Sequence, residues 1–411
     1  MPTLARRFSA LPYNERILYA EVGFQAVIEA GAMSFLAVFL VRLGAANWQV
    51  GLLDALPALV MTVASLPMAA FVERQRSLVA VANWARLIFR TVIGSFALLP
   101  FLPPGMAIYL TLVARGLISV PSAAGNVAFV TLLGQVAPPE RRPRMLSMRL
   151  AIHGVSASVV GYLAGRWLEA APYPLNYSAL FLSAFVAGLI SIYILSRLRL
   201  PEPRPGTKGS NPQPRRLKEA LSLIRSTPLL RNYCLATTAF HLGLAMPSAL
   251  YTIYRVRNMG ASDAWIGTLF TIERVLSVLT YFALSRLLAR PRWRRWLWVS
   301  CVGIALYPLS MALCKTPTML LIPSICGGTF GSAMNIFITN ALFQVSTEEN
   351  RPTLVAADAT LANVATFVAP MLGTALADAT NINLALLIIA GLRVLSGLSF
   401  WVLGVAREKR A

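Results

Sequence analysis

Charged residues are scarce in this chain. Only 13% of its 411 residues are Asp, Glu, Lys or Arg, whereas 57% are hydrophobic and the mean hydropathy is +0.64. A soluble globular protein carries about 25% charged residues. A soluble protein this apolar would expose large apolar patches, so the composition favours a protein embedded in lipid.

Several kinds of functional motif are also missing. The sequence has no HExxH, no phosphate-binding P-loop and no spaced Cys/His cluster. The four cysteines form no CxxC pair and lie within or at the edges of apolar runs, as packing residues do; they are Cys234, Cys301, Cys314 and Cys326. We therefore predict no enzymatic activity, no metal and no cofactor, and the missing P-loop argues against an ATP-driven pump acting alone.

Long apolar runs dominate what is present. A membrane-spanning helix needs about 20 mainly apolar residues, and twelve runs meet this requirement. They are residues 17–41, 48–72, 78–102, 106–134, 146–168, 176–197, 230–254, 263–288, 296–314, 318–345, 353–377 and 382–405.

The basic residues are distributed unevenly between these runs. The net charge is +21, and most of the 37 Lys and Arg residues fall in every second gap. The intervening gaps hold only five, at Arg42, Arg166, Arg255, Arg257 and Lys315. This is the positive-inside pattern, so we predict a multi-pass protein with both termini cytosolic and no nucleic-acid partner.

A polar segment divides the chain into two halves. Residues 198–229 contain PEPRPGTKGSNPQPRR, a composition typical of an exposed linker. The sequence thus predicts an N-terminal six-helix bundle over 1–197, a cytosolic linker over 198–229 and a C-terminal six-helix bundle over 230–411.

The two halves resemble each other. NVAFVTLLGQVAPPERRP at 126–143 aligns without gaps with NIFITNALFQVSTEENRP at 335–352, and AANWQVG at 45–51 matches ASDAWIG at 261–267. Both matches have an offset of a little over two hundred residues, which indicates a parallel repeat of two six-helix units.

With this layout the chain resembles the major facilitator superfamily over essentially its whole length. The supporting features are the six-plus-six arrangement, the basic central linker, the PPERRPR loop at 138–144, and FVERQRS at 71–77 in the place of the family's acidic and basic loop motif. The resemblance implies two helical bundles around a central cavity, with transport by alternating access.

Charges inside the predicted helices are few, and each costs at least about 2.5–3.5 kcal/mol near the bilayer centre. In helix one, Glu21, Gln25 and Glu29 recur every four residues and therefore share one face. Glu29 is about 20 Å from the cytosolic end of its helix, and Arg115 on helix four is about 15 Å from the opposite face, so the two are matched in depth.

These residues resemble the drug:proton antiporter branch of the superfamily. LTLVARGLISVPSAAG at 110–125 is similar to its helix-four motif, with Ser119 four residues after Arg115, and some members carry two acids eight residues apart in helix one. The resemblance implies that Glu21 and Glu29 bind protons or cationic substrate and that Arg115 couples to them. A fixed pair of Glu and Arg that only holds helices together is the alternative.

The other candidates fall into two groups. We predict substrate or proton binding also at Gln25, His241, Glu273 and Asn335. Gating contacts or structural ion pairs are predicted at Asp54, Glu73, Arg86, Arg90, Arg149 and Asp358. Of these, Arg86 and Arg90 are expected to partner the helix-one acids, and Arg149 and Asp358, which occupy equivalent repeat positions, are expected to bridge the halves.

The sequence therefore supports three hypotheses. The first is proton-coupled efflux of small amphipathic molecules across the inner or plasma membrane by a monomer. The second is a facilitator or symporter for a small polar or anionic nutrient, because buried arginines are numerous. The third is a non-transporting membrane sensor or lipid-handling protein.

Overall fold

The protein was analysed as a computed structural model, which describes residues 12–75, 77–136, 141–199, 224–288, 293–347 and 351–405. Within these ranges the regular structure is helical, without strands. Apart from one turn at 224–226, the helices form twelve consecutive groups, which we number α1 to α12. Ten of the twelve contain a segment long and apolar enough to cross a membrane.

The helices end within a few residues of the predicted runs. Their bounds are α1 Tyr13–Arg42, α2 Asn47–Glu73, α3 Leu78–Phe101, α4 Pro104–Leu117 and Ser119–Val136, α5 Arg142–Ala170, α6 Leu175–Ser196, α7 Pro228–Ala245, Ser248–Ile253 and Tyr254–Asn258, α8 Asp263–Leu288, α9 Trp293–Gly303 and Leu306–Ala312, α10 Pro317–Val345, α11 Arg351–Ala379, and α12 Ile382–Val402.

The chain forms two compact units. Unit 1 comprises the described residues within Met1–Gly44, Val63–Pro205 and Ser262–Thr271. Unit 2 comprises those within Ala45–Thr62, Gly206–Ala261 and Ile272–Ala411. The first part of α2 thus packs with unit 2 and the first part of α8 with unit 1.

Helix packing repeats between the units. In unit 1, α1 packs on α5 and α6, and α3 packs on α4 and α6. In unit 2, α7 packs on α11 and α12, and α9 packs on α10 and α12. Each pairing recurs six helices later, so the repeat found in the sequence is also present in the architecture.

Prolines interrupt three of the helices. A proline has no N–H to donate to the carbonyl four residues before it. In α4 the interruption follows Leu117, four residues before Pro121. In α7 it lies near Gly243, four residues before Pro247, and in α9 it lies near Ile304, four residues before Pro308. Neither α7 nor α9, each divided in this way, contains an unbroken helix that is both long enough and apolar enough to count among the ten spans.

Charged side chains hold the first residues of α8 in unit 1 and those of α2 in unit 2. In unit 1, Arg42 at the end of α1 lies 2.8 Å from Asp263, the first residue of α8, and Tyr177 donates to the same carboxylate at 3.4 Å. In unit 2, Asn47 at the start of α2 accepts from Arg257 and donates to Asp378 on α11. The helix ends are therefore held by charge-assisted hydrogen bonds rather than by apolar packing alone.

Candidate functional site

A polar stripe on α1 forms the centre of the candidate site in unit 1. Glu21 and Gln25 lie in the α-helical part of α1, whereas Glu29 lies in a π-helical turn, Val27–Met33. Such π-helical turns within α-helices are frequently found at functional sites. The stripe is directed toward α3, α5 and α6, which supply all the partners described below.

Glu21 is fully buried, with 0% of its side chain exposed. Its Oε1 accepts hydrogen bonds from Arg86 Nη1 at 2.7 Å and from Ser191 Oγ at 3.1 Å. Its Oε2 accepts from Arg149 Nη2 at 3.1 Å. A buried charge needs such compensation, and three donors from α3, α5 and α6 satisfy both carboxylate oxygens.

An aromatic ring supports the two arginines. The guanidinium carbons of Arg86 and Arg149 lie 4.4 and 4.9 Å from the ring centroid of Phe129 on α4. The negative face of the ring attracts both cations. Phe129 therefore helps to keep two like charges side by side next to Glu21.

Arg90 connects Glu21 to the next turn of the stripe. Its side chain is buried, and Nη2 donates to Gln25 Oε1 at 2.6 Å and to Ser191 Oγ at 3.3 Å. Gly188 on α6 leaves room for the Arg90 side chain, because a Cβ at this position would lie 2.5 Å from Arg90 Cδ. Gln25 in turn donates to Glu29 Oε1 at 2.9 Å.

Glu29 differs from Glu21 in exposure and in partners. Its side chain is 46% exposed, and Oε2 lies 2.9 Å from Nε2 of His153 on α5, whose side chain is 17% exposed. The network therefore runs from the buried, compensated carboxylate of Glu21 to the half-exposed carboxylate of Glu29, with the largely buried imidazole of His153 beside it.

The remaining predicted residues of the N-terminal half are distributed as follows. Arg115 is half-buried on α4, and its carbonyl accepts a hydrogen bond from Ser119. Asp54 is exposed on α2, and the side chain of Glu73 lies outside what the structure describes. The predicted coupling of Arg115 to Glu29 stays a prediction. Arg149 is paired with Glu21 in its own unit, and its predicted contact between the halves stays a prediction.

A second polar cluster lies in unit 2. Glu273 on α8 accepts from Arg255 at 2.6 Å and from the Tyr307 hydroxyl at 2.9 Å, and Arg255 also donates to Tyr307. The ring of Tyr251 lies 4.3 Å from that of Tyr307. We had assigned Arg255 to an outer segment, but it occupies the last, π-helical part of α7 and is 4% exposed.

Arg393 on α12 donates hydrogen bonds to backbone carbonyls at the interruptions of α7 and α9. Its Nε donates to the Gly243 carbonyl at 2.9 Å and its Nη1 to the Ile304 carbonyl at 3.2 Å. These are the acceptors freed by the prolines four residues later. A third bond, from Nη2 to the Leu244 carbonyl at 2.8 Å, completes the set. One buried cation thus satisfies backbone groups that cannot be left unpaired inside a membrane.

Three further predicted residues belong to unit 2. His241 on α7 and Asp358 on α11 are half-buried, and neither His241 Nδ1 nor Asp358 Oδ1 has a hydrogen-bond partner among the described residues. Asn335 is exposed on α10. In the described part of the chain, no three His, Cys, Asp or Glu side chains are grouped so that they could hold a metal ion.

Comparison with known proteins decides the family. The sequence matches the Major Facilitator Superfamily over residues 22–341. The chain belongs to that superfamily. It is a multi-pass membrane transporter rather than an enzyme. No curated protein sequence matches it.

Solved structures of superfamily transporters have the same fold. A nucleoside transporter superposes with a TM-score of 0.74 at 11% identity, covering 95% of this chain and 99% of that one. A D-xylose-proton symporter gives 0.71 at 15% identity, covering 94% and 97%. A bacterial homologue of the human lysosomal transporter Spinster, inward-facing and occupied, gives 0.70 at 12% identity, covering 98% and 100%. At these identities the similarity shows the fold alone.

Proposed function

We propose that this transporter is proton-coupled and that Glu29 is the carboxylate that binds the coupled proton. The observation that carries the proposal is the difference between two acids on one helix face. Glu21 is buried and accepts hydrogen bonds from two arginines and a serine, whereas Glu29 is half exposed, lies 2.9 Å from His153 and accepts a hydrogen bond from the neutral Gln25.

Proton coupling requires a group that gains and loses its proton during each cycle. Glu21 is unsuited to this because its protonation would leave two buried arginines without their counter-ion. Protonation of Glu29, by contrast, leaves Arg86 and Arg149 their shared counter-ion Glu21. Gln25 and Arg90 extend the network from Glu29 back to Glu21, so a change at Glu29 would reach the fixed ion pairs.

For the direction of transport, we propose proton-driven efflux of small amphipathic, often cationic molecules. The support is the acidic α1 stripe together with Arg115 and Ser119, which resemble the drug:proton antiporter pattern. Substrate contacts are proposed at Gln25, Arg115, His241, Glu273 and Asn335. We also propose that the protein acts as a monomer in the plasma or inner membrane, with both termini cytosolic.

A second candidate is uptake of a small polar or anionic nutrient. Its support is the excess of buried arginines. The unit 1 network contains three arginines and two carboxylates, and Arg393 adds a further cation to the paired Arg255 and Glu273 in unit 2. An anion would complement such a charge distribution. A D-xylose-proton symporter is among the structures similar in fold.

Transport into proteoliposomes tests the proposal. With an imposed pH gradient, antiport concentrates substrate in the acidic compartment and symport concentrates it in the alkaline one. We expect Glu29→Gln to abolish gradient-driven accumulation while leaving counterflow exchange of labelled for unlabelled substrate intact. Glu29→Asp, which keeps the carboxylate, is the matched control and should retain accumulation. Full accumulation by Glu29→Gln would refute the assignment of Glu29.

A further inference from the structure

Two arginines follow the last turn of α6, on either side of a buried leucine. Arg197 and Arg199 are exposed, whereas Leu198 between them packs in the apolar core of unit 1 against residues such as Leu18. The Asn14 side chain at the beginning of α1 makes two hydrogen bonds with the backbone of Arg199, of 2.7 and 3.1 Å. The chain is therefore fixed at this point, with both guanidinium groups on the outside of the core.

Each of these arginines lies over a tyrosine ring. The guanidinium carbon of Arg197 is 4.8 Å from the ring centroid of Tyr193, one turn earlier on α6, and Arg197 Nη2 donates to the Tyr193 hydroxyl. The guanidinium carbon of Arg199 is 4.6 Å from the ring centroid of Tyr13, the first residue of α1. Because the face of a ring attracts a cation, both guanidinium groups are held in place before any ligand binds.

The same end of unit 1 offers these arginines no carboxylate. Among the described residues, neither of them forms an ion pair with an acid. The acid in the first turn of α1 is Glu15, which lies 3.3 Å from Arg141. Arg16 adds another cation on the Tyr13 face of α1, three residues later, and its buried Nε has no hydrogen-bond partner in the part of the chain that the structure describes. The beginning of α1 and the end of α6 thus carry an excess of positive charge.

An exposed apolar stripe of α6 leads to this end. Leu182, Val186 and Ile190 recur every four residues, and all three are exposed. Residues with this spacing share one helix face, which continues to the exposed Tyr193 and to Arg197. An apolar face of a membrane helix contacts acyl chains, and tyrosine is enriched at the level of the lipid headgroups. A lipid that lies along this stripe would therefore have its phosphate beside the two arginines.

We propose that the end of α6 and the beginning of α1 bind the headgroup of an anionic phospholipid, with Arg197 and Arg199 as the groups that contact its phosphate. The donors of a guanidinium group form a fork that matches phosphate oxygens. The apolar stripe favours a lipid over free phosphate, because only a lipid would contact it. The excess of positive charge favours an anionic over a zwitterionic lipid. This proposal is independent of the proposed proton coupling.

Native mass spectrometry of the detergent-purified, full-length protein can test this site. Phosphatidylglycerol and phosphatidylcholine with the same acyl chains would be titrated separately, and the dissociation constant of the first bound lipid measured. We expect the wild type to bind phosphatidylglycerol more tightly. Arg197→Gln combined with Arg199→Gln should weaken phosphatidylglycerol binding about thirtyfold, since each basic residue near an anionic lipid surface contributes about fivefold. Binding of phosphatidylcholine should change little.

Arg166→Gln combined with Arg274→Gln is the matched control. It removes the same charge from exposed positions of α5 and α8, and Arg166 also lies over a tyrosine, 5.4 Å from the ring centroid of Tyr162. This control should bind phosphatidylglycerol as the wild type does. Equal weakening in the two double variants, or equal affinity of the wild type for the two lipids, would overturn the proposal. Displacement of the lipid by excess inorganic phosphate would also overturn it, because the ligand would then be the free anion.

The substitutions at the proposed site are designed to preserve the fold. Both hydrogen bonds between Asn14 and Arg199 involve the backbone of Arg199, so Arg199→Gln leaves them in place. If the double variant does not fold, Arg197→Gln and Arg199→Gln would be measured singly, and each is expected to weaken phosphatidylglycerol binding about fivefold. Single variants that bind this lipid as tightly as the wild type would refute the site.

Discussion

Neutralising Glu21 separates the structural acid of α1 from the functional one. The Glu21 carboxylate receives Arg86 at 2.7 Å and Arg149 at 3.1 Å, with no part of its side chain exposed. Glu21→Gln keeps the size of the side chain but removes the charge that compensates both arginines. Removing one partner of a buried ion pair costs about 3–5 kcal/mol. We therefore expect Glu21→Gln to lower the free energy of unfolding by about this amount.

Glu29→Gln is the matched comparison, on the same helix face two turns away. Because Glu29 is 46% exposed, Glu29→Gln should lower the free energy of unfolding by less than about 1 kcal/mol. Thermal unfolding of the purified proteins, followed with a thiol-reactive dye, is a suitable assay because Cys234, Cys301 and Cys314 are free and buried. Equal unfolding temperatures for the two variants would refute the assignment of Glu21 as the structural acid and Glu29 as the functional one.

Two further substitutions test the packing around the buried arginines. Arg393→Met removes three hydrogen bonds to backbone carbonyls, each worth about 0.6–1.7 kcal/mol in a membrane. Arg393→Met should therefore lower the free energy of unfolding by about 2–5 kcal/mol in the same assay. The control Arg274→Met, at an exposed position of α8, should change it little. Similar effects of the two substitutions would contradict the role given to Arg393. Gly188→Ala places a methyl group against Arg90 and should cost about 1–3 kcal/mol, whereas Gly391→Ala, with nothing within 4 Å, should be neutral or stabilising. A stabilising effect of Gly188→Ala would show that the Arg90 side chain does not need the space left by Gly188.

Most of the architecture could be predicted from the sequence. The helix bounds follow from the length of the apolar runs, since twelve runs of about the right length leave little freedom for where each helix begins and ends. The interruptions of α7 and α9 were not predicted. Their signal was present in Pro247 and Pro308, each of which frees a carbonyl four residues earlier.

The candidate site could be predicted only in part. The common face of Glu21, Gln25 and Glu29 follows from helical spacing, but the rotation of neighbouring helices decides which partner reaches which acid. For this reason the sequence did not show that Arg149 meets Glu21 or that His153 meets Glu29.

Arg255 was missed for a different reason. It follows the apolar run of α7, and the π-helical end that buries it leaves no mark in the pattern. An indirect signal existed in Glu273, because an acid in the middle of an apolar helix requires a nearby cation.

Proton release on substrate binding tests the central claim most directly. Candidate compounds would be added to the detergent-purified transporter in weakly buffered solution, and the pH change compared between wild type and Glu29→Gln, with binding measured in parallel. The account predicts release that accompanies binding in the wild type and is lost in Glu29→Gln. Equal release from both proteins, or binding to the wild type without release, would contradict Glu29 as the site of proton exchange.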